Sequence, residues 1–444
     1  MNTKLLFREA VSKGNLRHYP HIFPFLGVDL VWQQYVDFYS GRFSEGIRRR
    51  HFLYGSTFSA NILGNNHVYT IEPQNIHTII ATRESRNFEK SEWASEAAKH
   101  IGNGILVNEG EAWNFSKMTL SPLFAASNSV DEPTLMEPHV RRLIAHMMTL
   151  GECEGVFEFH RLADMLMLDV VTEFLFGEST GCLETPRRPS GDDGVDFLTL
   201  VRSFDGPSAS FIALGAPARV KLLFSRGRLN EMVVGMKAFF ERKLADIMAD
   251  AEGSSARTSP WSVFRMMRAR DIPDEQIQGE LQNIFFASWD TTSGLLANTV
   301  YALLRHQHVQ TRLREEIRSL QGRPPTRQEL NSMKYLRLVV KEGDGGTGAD
   351  TVADEQKIGG SETRRAYFMP FGAGPRACLG RKMAQAEVSY VIVRLLQEFP
   401  SLMPAREEAE HKPFREAEAV SFRNADGVWV SVNRDRHREM GQGN

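Results

Sequence analysis

Apolar residues recur along most of this chain at helical rather than strand spacing. Residues 162 to 176, Leu-Ala-Asp-Met-Leu-Met-Leu-Asp-Val-Val-Thr-Glu-Phe-Leu-Phe, are apolar on nearly every side and predict a buried helix that Gly177 ends. From Pro273 to His306 the pattern predicts one long helix, on the order of 50 Å, enough to cross a whole domain. Val388, Val391, Ile392, Leu395, Leu396 and Phe399 follow a 3.6 period and predict a second core helix, while Arg228 to Ala249 reads as amphipathic. Glu72-Pro73 opens a short helix carrying Ile76, Ile79 and Ile80. Two hairpins are expected. One joins Thr57–Leu63 to His67–Ile71 through Gly64-Asn65-Asn66; the other joins Val420-Ser421-Phe422 to residues 428–432 through Asn424-Ala425-Asp426-Gly427. Residues 181–194, rich in Pro, Gly and charge, read as an exposed loop. No internal repeat is visible, and the order of elements predicts a mainly α fold with a minor β part.

Composition adds limits. The 444 residues are 42% hydrophobic and 24% charged, ordinary for a globular protein, and nothing splits them cleanly, so a single domain over 1–444 is expected. With 53 basic and 55 acidic residues the formal charge is −2, which lends no support to a nucleic-acid partner. Cys153, Cys182 and Cys378 have the spacing of neither a disulfide framework nor a zinc site, and a reducing compartment fits best. Residues 1–21 carry Lys4, Arg8, Glu9, Lys13 and Arg17 and form neither a secretory signal nor a membrane span. His21-Ile22-Phe23-Pro24-Phe25-Leu26 reads either as core or as a patch for peripheral membrane contact.

The chemistry concentrates around Cys378, in Phe371-Gly372-Ala373-Gly374-Pro375-Arg376-Ala377-Cys378-Leu379-Gly380-Arg381. Glycines let this loop lie close against a flat ligand, and a helix-period sequence begins where the run ends. A thiolate there draws support from N–H groups at the helix start and from Arg376, whose guanidinium also suits a planar cofactor carrying carboxylates. Phe371 packs beside the sulfur in this reading, and Gly380 removes a side chain where the helix passes nearest the ligand. Elsewhere, Trp113 and Lys117 stand four apart on one helix face, a spacing equally ordinary for a core tryptophan beside a solvated lysine. Ala287-Ser288-Trp289-Asp290-Thr291-Thr292 falls in mid-helix, where a Thr hydroxyl bonding back to the carbonyl four residues earlier can open the helix locally.

These motifs resemble those of the cytochrome P450 family, whose haem-binding signature reads Phe-x-x-Gly-x-Arg-x-Cys-x-Gly. Phe371, Gly374, Arg376, Cys378 and Gly380 match every fixed position. The resemblance implies a P450 fold, haem b (iron protoporphyrin IX) with Cys378 as its thiolate ligand, and a monooxygenase that takes electrons from an NADPH-cytochrome P450 reductase, consumes O2 and acts on a lipophilic small molecule. It implies that Asp290 belongs to a proton relay and that Thr291 serves the oxygen side of the haem, Ser288 standing where the motif has glycine. In the family's Trp-x-x-x-Arg both residues reach a haem propionate, so Trp113 and Lys117 are implied as cofactor contacts, Lys117 without the guanidinium fork. Residues 25–32, 174–179 and 387–399 look most like the fungal P450s that hydroxylate n-alkanes and fatty acids, which implies the cytosolic face of the endoplasmic reticulum.

One region departs from the pattern. Family members continue from Lys341-Glu342 as Glu-x-x-Arg and then through strands and a meander. Here Glu342 is followed by Gly343-Asp344-Gly345, and 343–366 has the composition of a linker. The expected fold is therefore incomplete in the β region between Glu342 and Phe371, as an internal deletion would leave it. A haem-binding but impaired relative, or a helical interaction protein without haem, stand as the alternatives.

Overall fold

The structure is a computed structural model that describes residues 16–23, 26–81, 88–90, 101–127, 132–184, 198–199, 201–202, 234–235, 237–242, 262–343, 369–405, 414–417 and 421–432. Most of the expected 228–249 helix, residues 185–194 of the expected loop and the linker-like stretch after Gly343 lie outside these residues. Strand β1 (Arg17–His18) precedes helices α1 (Val28–Tyr39) and α2 (Phe43–Tyr54), then strands β2 (Thr57–Ile62) and β3 (Asn65–Thr70) and helix α3 (Pro73–Ile80). Helices α4 (Gly110–Ser127) and α5 (Glu132–Cys153), strand β4 (Val156–Glu158) and helix α6 (Phe159–Phe176) follow. Next come α7 (Val263–Arg268), α8 (Asp274–Arg305), α9 (Gln307–Ile317), α10 (Arg327–Ser332) and α11 (Lys334–Gly343). Helix α12 (Arg381–Glu398) and strands β5 (Leu402–Pro404) and β6 (Trp429–Val432) complete the order. The fold is mainly helical with two small sheets, as expected.

The long helix has the bounds its sequence signals. Pro273 stands at the N-cap of α8, Asp274 and Glu275 in the first turn complement the helix dipole, and Arg305 does so in the last. Helix α6 starts where the Glu158 carboxylate accepts from the N–H groups of His160 (2.9 Å) and Arg161 (2.7 Å). Gly177 ends it at φ 86°. Helix α8 lies along α6 and also meets α11 and α12, and the fully buried Trp289 and Tyr390 fill this core. Burying a side chain of that size contributes roughly 3 kcal/mol, which is why a helix that is apolar all round settles in the centre. Helices α5 and α12 are also joined by charge: Glu137 accepts from Tyr390 Oη (2.5 Å) and from Arg394 Nε (3.1 Å). Burial, reinforced by the neighbouring Glu137 carboxylate, pushes the Tyr390 hydroxyl far up from its ordinary value.

The hairpins show how far local pattern reaches. Strands β2 and β3 pair antiparallel, but Ile62 faces Asn65, so the turn is Leu63-Gly64 rather than Gly-Asn-Asn. Both residues take positive φ, 49° and 83°, as the tightest hairpin turn requires, and Asn61 Oδ1 accepts the Gly64 N–H at 2.8 Å. The second expected hairpin forms differently. Strand β6 pairs with β4 and β5, not with 420–422. The Ser421 N–H and the Phe422 carbonyl are taken by side chains of α8, Asp290 (2.9 Å) and Asn298 (2.7 Å), so that segment has no ladder to offer. Only the turn survives, with the Gly427 N–H donating to Asn424 O at 3.1 Å.

Candidate functional site

Cys378 is exposed, yet its backbone is tied down. Its N–H donates to Phe371 O (2.9 Å), Gly372 N–H to Met369 O (3.0 Å) and Ala377 N–H to Gly374 O (3.2 Å). Gly372 and Gly374 both sit at φ 66°. A Cβ at Gly374 would stand 2.1 Å from Ile80 O and 2.7 Å from Ala81 Cα, so the end of α3 buttresses the loop where only glycine fits. Gly380 differs. A Cβ there would meet Phe124 at 3.7 Å and Cys378 Sγ at 3.9 Å, ordinary contacts, so the protein's own atoms do not require glycine at that position. Phe371 and Leu379 pack on the main core and fix the loop from beneath.

Beside the loop, Trp113 on α4 carries a cation near its ring on two counts: Arg376 Cζ is 4.5 Å from the ring centroid and Lys117 Nζ 5.1 Å. Lys117 donates to Pro375 O at 2.8 Å, tying α4 to the cysteine loop. Arg376 pairs with the Glu109 carboxylate and donates to Asn108 O at 3.3 Å. Lys90 stands 3.5 Å from the other Glu109 oxygen. Burial, together with the Arg376 charge and against the pull of Glu109, lowers the Lys90 ammonium from its ordinary range. Two cations, Arg376 and Lys90, thus meet on the Glu109 carboxylate, and Lys117 stands beside them on Trp113. Trp113, Lys117 and Arg376 were legible from their motifs; Lys90 and Glu109 were not, since no spacing rule joins residues 88–90 to the residue before α4.

Asp290 and Thr291 adjoin in sequence and diverge in space. Thr291 is exposed in the middle of α8 although Asp290 and Thr292 are buried, so α8 has one open position within its buried length. Its hydroxyl donates to Ala287 O at 2.6 Å, the back-bond its motif suggests, and Ser288 makes the same bond to Ile284 O. The helix stays continuous through both. Asp290 turns inward, where its carboxylate pairs with Arg423 and accepts the Ser421 N–H at 2.9 Å. Arg423 reaches Asp164 Oδ2 at 3.4 Å, and Asp164 also accepts from Arg202 Nε (2.8 Å) and Ser293 Oγ (2.6 Å). Burial alone would raise the Asp164 carboxyl, but the Arg423 and Arg202 charges and the Ser293 hydrogen bond outweigh it and hold it low. His160, 3.7 Å from Asp164, is pushed down to about 4 by burial and stays neutral. Two aspartates stand in the apolar run 162–176: Asp169 accepts from Thr180, Cys182 and Leu183, whereas Asp164 meets a cation that lies 259 residues away.

An iron porphyrin needs an axial ligand for the metal and partners for two carboxylates. An exposed thiol on a hydrogen-bonded loop, and beside it a cluster that among the described residues has two more cations than anions, fit both demands. Among the described residues no group of three or more His, Cys, Asp or Glu side chains could hold a metal by itself.

The cytochrome P450 family model matches residues 20–343 and 354–425, with its break after Gly343, where α11 ends. Cytochrome P450 monooxygenase himC of Aspergillus japonicus is 27% identical, the match covering 94% of this chain and 83% of that protein. Cytochrome P450 52A12 of Debaryomyces hansenii is 28% identical over 92% of this chain and 90% of its own length, and cytochrome P450 52C1 of Candida tropicalis 27% identical over 88% and 87%. A match of this extent, on a chain whose cysteine loop is built as described, shows that the protein belongs to the cytochrome P450 family and is a monooxygenase.

Proposed function

We propose that this monooxygenase holds haem b through the Cys378 thiolate and hydroxylates a C–H bond of a long-chain alkane or fatty acid. The observation that carries the haem reading is the joining, through Arg376, of an exposed cysteine loop to a cation-rich cluster. Arg376 and Lys117, braced on Trp113, would take the haem carboxylates, and Phe371 would shield the loop. When bound, the haem supplies O2 activation, with electrons from an NADPH-dependent reductase. Arg376, Arg381 and Lys382 offer that reductase a basic face. Because the Thr291 hydroxyl donates to Ala287 O, its lone pairs face the open side, where they accept a donor and hold a proton at Oγ1. Asp290 stands behind it; to pass a proton it must exchange its contact with Arg423.

The substrate class rests on the resemblance to alkane- and fatty-acid-hydroxylating fungal P450s. Each added CH2 should tighten binding by up to about 0.8 kcal/mol; binding indifferent to chain length would exclude it. Ile22, Phe23 and Leu26, exposed by 78%, 60% and 55%, offer an apolar face for the cytosolic side of the endoplasmic reticulum membrane. No helix among the described residues is long and apolar enough to cross a membrane. The test of ligation is spectroscopic: the reduced protein with carbon monoxide should show the red-shifted Soret band of a thiolate ligand, and Cys378→Ser should lose it. A variant that kept the band would remove Cys378 from the site. A second reading, weak haem retention, is favoured by the break in the family match between 343 and 354. It predicts that a family-like segment inserted after Glu342 raises haem content; full occupancy in the unaltered chain would exclude it.

A further inference from the structure

The cluster at Trp113 contains one group that the haem reading leaves without a task. Glu109 pairs with Arg376 through Oε2, and its buried Oε1 meets only Lys90 among the described residues, at a long 3.5 Å. A carboxylate amid cations ordinarily fills its acceptor positions. This one lies against the guanidinium that a porphyrin carboxylate needs. Lys90 also donates to Leu106 O, in the same 101–109 stretch, so it is anchored beside the loop rather than drifting in solvent. A cofactor carboxylate seeking Arg376 therefore meets a carboxylate already there.

We propose that Glu109 is an internal counter-ion that competes with the haem carboxylates for Arg376, and that Lys90 is a further cation of that carboxylate site. The inference rests on the haem reading above. Without haem, Glu109 neutralises part of the cluster and steadies it. When haem enters, a haem carboxylate replaces the Glu109 oxygens at Arg376 and Glu109 keeps Lys90. No bond is made or broken beyond ion pairs. Haem affinity is then the difference between two carboxylate contacts rather than the full worth of one.

Haem-free protein, titrated with ferric haem and followed by the Soret change, tests this. Glu109→Gln should bind haem about threefold or more tightly, the scale of one partly exposed ion pair, while its haem-free form unfolds at lower temperature. Lys90→Gln should bind less tightly by a similar factor. Haem dimethyl ester, which lacks the carboxylates, should erase both differences. Equal or weaker haem binding by Glu109→Gln would overturn the proposal, because Glu109 would then orient Arg376 rather than compete for it. Variant differences that persist with the ester would overturn it as well. Wild-type protein that binds neither ligand would bring down the haem reading itself, so the two failures are distinct.

Discussion

The charges gathered on Asp164 and those gathered at Trp113 are built from the same residue types and are opposites in balance. Around Asp164, two arginines meet two aspartates, and the neutral His160 adds no charge. Asp164 and Asp290 are 0% and 2% exposed and nearly every oxygen is claimed. At Trp113, Lys90, Lys117 and Arg376 gather with Glu109 as the one anion among the described residues, and the Glu109 side chain is 28% exposed where Asp164 and Asp290 are buried. The cluster with buried carboxylates is closed by the protein's own atoms. The other, in the haem reading proposed above, is completed by the cofactor's carboxylates. Two neighbours of one motif also differ: Asp290 belongs to the closed cluster and holds the 421–423 segment on α8, while the Thr291 side chain is exposed and bonds back to Ala287 O.

Breaking the closed cluster should cost most. Arg423→Leu leaves Asp290 and Asp164 buried with less compensation and should lower unfolding free energy by about 3 kcal/mol or more in denaturant titration. A loss below about 1 kcal/mol would mean water already shares that site. Acid should reach the same cluster through His160. Its value is about 4 in the folded protein against an ordinary 6.5, so from pH 6.5 downward the unfolded chain takes up a proton that the folded one refuses. Stability is flat on that account above pH 6.5 and falls towards pH 4, by roughly 3 kcal/mol at most. His160→Asn should flatten this stretch of the pH profile; an unchanged slope would assign it to other groups.

The open side should respond more mildly. Gly374→Ala forces a Cβ against Ile80 O at φ 66° and should destabilise the cysteine loop by about 1–3 kcal/mol, seen as lost haem and faster proteolysis there. Retained haem would show that α3 can yield. Gly380→Ala should leave haem-free stability within about 0.5 kcal/mol, since its Cβ meets only ordinary contacts. If haem binding nevertheless drops, the space at Gly380 serves the cofactor rather than the fold.

What was legible from residues follows the reach of each interaction. Helix α8 was bounded to within one residue at each end because proline, acidic first turn and apolar period are all local. The pairing of β6 with β4 and β5 was not, because its partners lie far away in sequence and residues 421–422 are captured by α8. In the site, the family resemblance rather than spacing joined Trp113 and Lys117 to Arg376 and Cys378. It missed Glu109 and Lys90, which meet only once the 101–109 stretch folds back on the cysteine loop. Asp164 and Asp169 read alike within the apolar run, and only the fold shows that Asp164 meets arginines while Asp169 meets N–H and O–H groups.

The central claim is that the closed cluster sustains the fold and the open one holds the cofactor. Haem affinity and haem-free unfolding free energy, measured side by side for Arg376→Gln and Arg423→Gln, test it most directly. The account predicts that Arg376→Gln loses haem affinity at least tenfold, about 1.4 kcal/mol, while haem-free stability changes by less than about 1 kcal/mol. Arg423→Gln should show the reverse, unfolding early while the fraction still folded binds haem as tightly as before. Parallel loss of both properties in both variants would contradict the division.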